Sequence, residues 1–286
     1  MSEATVKSLL EAGVHFGHQT SRWNPKMEPY LFGARGGVHI IDLEQTVGYL
    51  KDAEAFAEKT AKDGGLVLFV STKRQGKAIL KEAAEAAGMP YVIERWLGGT
   101  LTNFQTIHER LSLLLKLRKE KADGDWERLP KKEVARKQDT LDRLETLLGG
   151  LADLEKPPAA VFVGDVMREK LAVHEAKKLG LPVIGVVDSN ADPVGIDYPI
   201  PANDDAVGAI KLITETIASA AGRGYALYRK QAAKDAEAAA KAQVAEAEKA
   251  EAEAAAAKAK AEKEAELAAK AKKDPTKLAT ATKEPK

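Results

Sequence analysis

The most specific chemistry in this sequence lies in Arg95-Trp96-Leu97-Gly98-Gly99-Thr100-Leu101-Thr102-Asn103. Paired glycines let backbone N–H groups approach a phosphate closely. Arg95 can bind phosphate, Trp96 can stack on a base, and Thr102 and Asn103 can donate hydrogen bonds to RNA. The alternative is a tight turn with Trp96 in the core, and for Trp96 physics alone favours the core. A second group, Lys73, Arg74 and Lys77, follows the apolar run Leu66–Val70 at the start of a helix. Strand carboxyl ends and helix N-termini suit anions. A third lies in Arg22-Trp23-Asn24-Pro25-Lys26.

A metal is the other chemistry to weigh. Gly13-Val14-His15-Phe16-Gly17-His18-Gln19 holds two histidines three apart, but Gly17 argues against a regular helix between them. Asp188 ends the run Val183–Val187, and Asp204 and Asp205 open the last core helix. His18 with Asp188 and Asp204 or Asp205 would make a hard-to-borderline site, with structural zinc the candidate ion. The alternative is helix capping and local hydrogen bonds. No cofactor is required by any motif.

Catalytic signatures fail. Ser71–Lys77 reads S-T-K-R-Q-G-K, which lacks the leading Gly of a Walker loop and has Ala after its Lys. No G-x-G-x-x-G follows a strand, and no G-x-S-x-G occurs. The absence of cysteine removes disulfides, thiolate zinc, iron–sulfur clusters and cysteine nucleophiles. A net charge of +1 argues mildly against a nucleic-acid partner, yet it can hide a local basic patch. Met1–Leu10 has no signal-type apolar core, and no apolar run nears the ~18 residues that span a bilayer. The reading is a soluble, cytoplasmic protein.

The elements that must position these residues read as α/β. Val38–Leu43, Leu66–Val70, Tyr91–Ile93, Ala160–Val163 and Val183–Val187 are unalternating apolar runs, as in strands covered on both faces. Gln75–Ala87 and Arg168–Leu179 read as helices stopped by Gly88 and Gly180, with Pro90 and Pro182 beyond. A long helix opens at Asn203 or Asp204, with Val207, Ile210, Ile213 and Ile217 on one face. Alternating strands and helices predict a mainly parallel sheet. From Phe104 to Leu151 the apolar spacing is helical, and Val134, Leu141 and Leu148 repeat every seven. With a Gly/Pro link at Ala122–Lys131, this predicts an antiparallel helical hairpin inserted into the domain. Its outer faces carry Lys116, Arg118, Lys119, Lys121, Lys131, Lys132, Arg136 and Lys137, a solvated face or a phosphate-binding arm. The expected organisation is a globular domain over 1–103 and 152–228, the hairpin over 104–151, and an Ala/Glu/Lys tail over 229–286, helical or disordered.

Seven segments together resemble the bacterial small-subunit ribosomal protein S2 family. They are A-G-V-H-F-G-H-Q-T at Ala12–Thr20, R-W-N-P-K-M at Arg22–Met27, H-I-I-D-L at His39–Leu43, R-W-L-G-G-T-L-T-N-F at Arg95–Phe104, L-G-L-P-V-I at Leu179–Ile184, V-D-S-N-A-D-P at Val187–Pro193 and P-A-N-D-D-A at Pro201–Ala206. Ser71, Thr100 and Ala202 depart from the family's usual Gly, Met and Gly. The resemblance implies a flavodoxin-like parallel sheet flanked by helices, with a protruding coiled-coil hairpin. It implies a structural protein, not an enzyme, that binds small-subunit (16S) rRNA. It further implies that the protein helps dock ribosomal protein S1 beside neighbouring small-subunit proteins, with no membrane and no homo-oligomer. The expected RNA contacts are Arg22, Trp23, Lys26, Arg35, Lys73, Arg74, Arg95, Trp96, Thr102 and Asn103.

Two rival readings stand beside this one. One is an α/β enzyme holding a small phosphorylated ligand at the strand carboxyl ends, with Asp188 and His18 as acid–base groups. The other is a protein-binding scaffold that uses the hairpin.

Overall fold

The computed structural model describes residues 5–235, and the elements below belong to one unit, Met1–Arg229. Most of the expected tail lies outside the described residues. The chain opens with helix α1 (Val6–Glu11) and strands β1 (Phe16–Gln19), β2 (Leu31–Arg35) and β3 (Val38–Ile41). These strands form an antiparallel sheet in the order β1-β3-β2. Then come α2 (Leu43–Lys62), β4 (Val67–Val70), α3 (Lys77–Ala87) and β5 (Tyr91–Val92). Helices α4 (Phe104–Ala122) and α5 (Lys131–Leu148) follow, then β6 (Ala160–Val163), α6 (Lys170–Lys178), β7 (Val183–Val187) and β8 (Tyr198–Pro201). A last helix, α7, begins at 207 and continues beyond the unit's end at 229 to 235, the last described residue.

The second sheet is parallel throughout, in the order β5-β4-β6-β7-β8. Counted within the sheet this is 2-1-3-4-5, the flavodoxin-like doubly wound order. Both faces are covered, which is why the strands lack alternation. Val67, Phe69, Phe162, Ile184 and Ile200 pack with Leu50, Ala53 and Ala57 of α2, Leu80 of α3, and Ile213 and Ile217 of α7. Leu68, Val70, Val161, Val163 and Val183 pack on the opposite face with Ala172 and Ala176 of α6 and with Trp96, Ile107 and Leu151.

Several expectations need correction. Val38–Ile41 belongs to the small antiparallel sheet, not the parallel one, and only Ile41 of it is buried. Asp42 does not continue that strand; its carboxylate accepts from the Glu44 N–H at 3.0 Å and caps α2. The fifth parallel strand, β8, went unread because it contains two prolines. Ala202 N–H donates to the Val187 carbonyl at 3.1 Å, so Pro199 and Pro201 fall at the outward-facing positions of this edge. An edge without donors resists pairing with another chain. Val207 is 55% exposed and lies off the buried stripe of Ile210, Ile213 and Ile217. Asn203 does cap this region, since its Oδ1 accepts from the N–H groups of Asp205 (2.7 Å) and Ala206 (2.9 Å). Gly88 and Gly180 terminate their helices with φ of 67° and 68°, as their positions predict.

Helices α4 and α5 pack through Leu111, Leu114 and Leu117 against Leu141 and Leu148. Trp126, in a 3-10 turn at Asp125–Arg128, is buried between them. Two of the cations expected on the outer faces instead bridge the helices. The Arg118 fork donates to Glu145, the nearest pair at 2.7 Å, and Lys137 pairs with Glu120 at 2.7 Å. Among the described residues, no helix is long and apolar enough to cross a membrane.

One backbone contact fixes α7 on α2. Ala53, Ala57 and Ala61 are fully buried, and a Cβ on Gly224 would sit 2.1 Å from the Glu58 carbonyl oxygen. Arg223 clamps the same junction, reaching Glu54 and Glu58 at 2.8 Å each. Backbone cannot rotate out of the way as a side chain can. Gly224→Ala is therefore expected to cost roughly 3 kcal/mol in urea denaturation, the upper end for overpacking. Gly48→Ala, in the same α2 but with open space around it, should gain up to about 1 kcal/mol. A Gly224→Ala protein as stable as wild type would refute this account of the junction.

Candidate functional site

Four parallel strands deliver ionisable groups to one edge. Lys73 follows β4, Asp165 follows β6, Asp188 follows β7, and Asp204 and Asp205 follow β8. The chain order reverses between β4 and β6, so this is a topological switch point, where such sheets bind ligands. The small sheet adds His18 from β1. Gly17 makes that approach possible, because a Cβ there would lie 2.8 Å from Ser189 Oγ. The next amide, His18 N–H, donates to that same Oγ at 2.8 Å.

The cluster is largely buried and net negative. Lys73 Nζ lies 2.7 Å from Asp204 Oδ1, 2.7 Å from Asp205 Oδ1 and 3.4 Å from Asp165 Oδ2. His18 Nδ1 is 3.1 Å from Asp188 Oδ2, and Nε2 is 3.5 Å from Asp205 Oδ2. Asp188 also accepts from the N–H groups of Ser189 and Asp204. Burial, then the neighbouring Asp165 and Asp188 carboxylates, push the Asp204 carboxyl up to about 7, against the pull of Lys73. Contact with Asp188 raises His18 above its ordinary value despite burial. Burial lowers Lys73, but its bonds to Asp204 and Asp205 outweigh that and keep it charged.

The expected trio of His18, Asp188 and Asp204 is brought together. One donor atom from each lies within 4.8 Å of the others. An imidazole and two carboxylates fit a borderline divalent ion such as zinc. Lys73, by contrast, is committed to three carboxylates and only 12% exposed, so it drops out as a phosphate contact.

The glycine-pair loop does form an anion nest, but the anion is the protein's own. The buried Glu175 of α6 accepts at Oε1 from Trp96 Nε1–H (3.1 Å) and Gly99 N–H (2.8 Å). Its Oε2 accepts from Leu101 N–H (3.0 Å), Thr102 N–H (3.1 Å) and the Thr102 hydroxyl (3.2 Å). Trp96 is in the core, as its burial preference predicts, and is closed to base stacking. The Thr102 donors and the Gly99 amide are likewise spent. Asn103 stays exposed at the start of α4, where its Oδ1 accepts from the Thr106 hydroxyl at 3.1 Å.

The remaining cations are arranged differently. Arg22, Arg35, Arg74 and Arg95 are exposed, and among the described residues none has a carboxylate within ion-pair distance. Lys26 pairs with Asp192 at 2.6 Å, and both are about half exposed. Trp23, 36% exposed, stacks on His39 with ring centroids 5.1 Å apart. Sequence reasoning missed Phe16 and Phe32 on the small sheet, the latter 81% exposed. Single exposed aromatics carry no sequence signal until the sheet that displays them is known.

A family model described as Ribosomal protein S2 matches residues 9–224. The chain belongs to that family. The match covers both sheets, the helical hairpin and most of α7, so the acidic cluster, the Glu175 nest and the free arginines all fall inside the family's shared body. Members are structural proteins of the small ribosomal subunit, which accords with the missing catalytic signatures.

Proposed function

We propose that this chain binds 16S rRNA through Arg22, Trp23, Arg35, Arg74 and Arg95, with Lys26 and Asn103 beside them, and helps dock ribosomal protein S1. The observation that carries the RNA reading is the set of four exposed, unpaired arginines on a chain of net charge +1. Lys73, Arg118, Lys137 and Arg223 are consumed internally, whereas these four are among the cations left for an external anion. The S1 part rests on the family and on two exposed aromatics of the small sheet, Phe16 and Phe32, side chains that a protein neighbour could cover. The setting is the cytoplasmic ribosome, with the chain acting as a single copy. The enzyme reading has little support at the strand ends, where Asp188 and Lys73 are already held by several partners.

The test is binding to small subunits stripped of this protein, followed by co-sedimentation across a salt series. Each phosphate contact adds roughly 0.7 to 0.9 to the log–log slope. Replacing Arg22, Arg35, Arg74 and Arg95 together with Ala should flatten the slope by about 3. Wild type that fails to co-sediment even at low salt would overturn the proposal.

A further inference from the structure

We infer that Arg168 is a pre-oriented phosphate contact, held by a Glu169–Thr72–Arg168 hydrogen-bond chain at the carboxyl edge of the parallel sheet. The inference rests on the RNA-binding reading and adds a residue to it. Arg168 lies in the turn between β6 and α6, where the sequence offers one cation among many. The structure sets it apart. Thr72, just beyond β4, donates both its N–H (2.7 Å) and its hydroxyl (2.6 Å) to Oε1 of Glu169, which is buried. With its proton committed, the Thr72 oxygen accepts from Arg168 Nε–H at 2.9 Å. The Arg168 backbone N–H donates to Asp165 Oδ1 at 2.9 Å, so the residue is fixed at both ends.

The guanidinium is oriented but not used up. Arg168 is exposed, and among the described residues its terminal NH2 groups make no hydrogen bond or ion pair. Glu169 directs its oxygen to Thr72, so this is no direct salt bridge. A long side chain ordinarily loses rotamer freedom on binding; here much of that ordering precedes the ligand. A planar fork with fixed direction suits a phosphate oxygen pair. Arg74, two residues past Thr72, is exposed and unpaired on the same loop. Lys73 of this loop and the Arg168 backbone both bond carboxylates of the acidic cluster, so a phosphate arriving at this edge needs a fixed cation to offset that charge. The ligand class is an RNA backbone phosphate.

Full-length variants bound to stripped small subunits test this, with circular dichroism confirming the fold of each. Arg168→Ala should weaken binding and flatten the log–log salt slope by about 0.9, or about 0.7 on single-stranded RNA. Arg168→Gln should repeat that result should alanine disturb the turn. Thr72→Val keeps every charge but frees the guanidinium, so affinity should fall several-fold with the slope unchanged. Thr72→Ser, which keeps the hydroxyl, should restore wild-type affinity. Wild-type binding with an unchanged slope in both Arg168 variants would overturn the contact while leaving the RNA reading intact. Wild-type affinity in Thr72→Val would overturn the pre-orientation. Failure of wild type to bind would remove both readings together.

Discussion

Glu175→Gln is expected to destabilise the protein by about 3 to 5 kcal/mol at neutral pH, because five donors converge on that carboxylate. The glutamine NH2 must face either Trp96 and Gly99 or Leu101 and Thr102. Donors then meet donors in a buried pocket, and each one left unsatisfied costs about 1 to 3 kcal/mol. Local movement recovers part of the sum. At ~2–4 °C per kcal/mol for a domain of this size, the melting temperature should drop by roughly 10 °C. Burial pushes the Glu175 carboxyl up, but the bonds from Gly99, Thr102, Trp96 and Leu101 outweigh it and hold it below the usual range. A depressed folded-state value stabilises above the unfolded value, about 4.3, and that stability is lost as pH falls through the folded one. The gap between wild type and Glu175→Gln should therefore narrow in acid. Urea denaturation at pH 7 and near pH 3 checks both parts. A variant within 1 kcal/mol of wild type at pH 7 would contradict the description of the nest.

The same loop shows where sequence reasoning reaches and where it stops. Gly98-Gly99 and its flanking donors are legible as an anion nest from local geometry alone. The identity of the anion is not, because Glu175 lies 76 residues beyond Gly99. On α6 a glutamate among lysines reads as a solvated helix charge. Only the packing of α6 beneath the loop turns it inward. Lys73 failed as a phosphate contact for the same reason: its spacing announces a strand end but not the carboxylates that two other strands bring there. The trio of His18, Asp188 and Asp204 was legible because strand carboxyl ends form a general rule about where polar groups meet. The parallel sheet was legible in four of its five strands, since doubly covered strands are apolar throughout. The small sheet was not, since β2 (Leu-Phe-Gly-Ala-Arg) buries no residue fully. Pairing there follows from hairpin geometry at Gly36 and Gly37, both with positive φ, not from hydrophobic pattern.

Zinc is expected to raise the melting temperature of wild type and leave that of His18→Ala unchanged. The cluster holds four carboxylates, Asp165, Asp188, Asp204 and Asp205, against the single fixed cation of Lys73. Uncompensated charge in a buried place is costly, so some positive species should be taken up there. A proton is one, and Asp204, pushed up to about 7, is where it would go. A divalent ion compensates twice as much. The donor atoms lie within 4.8 Å of one another, whereas ligands around tetrahedral zinc stand roughly 3.4 Å apart at bond lengths near 2.1 Å. His18 Nδ1 and Asp188 Oδ2, 3.1 Å apart, already meet that spacing, and any pair near the 4.8 Å limit must close by about an ångström. Lys73 holds Asp204 Oδ1 at 2.7 Å, so the ion must use the other oxygen or displace the ammonium. Both demands point to modest affinity. Zinc at 100-fold over its dissociation constant would still add about 2.7 kcal/mol, or several degrees. Asp188→Asn should lose the response as His18→Ala does, while Arg118→Ala, in the hairpin, should keep it. Elemental analysis of purified wild type and His18→Ala gives an independent reading. Equal zinc in the two proteins, or equal shifts in melting temperature, would show that the ion sits elsewhere; no shift and no zinc in wild type would show that the proton alone compensates the cluster.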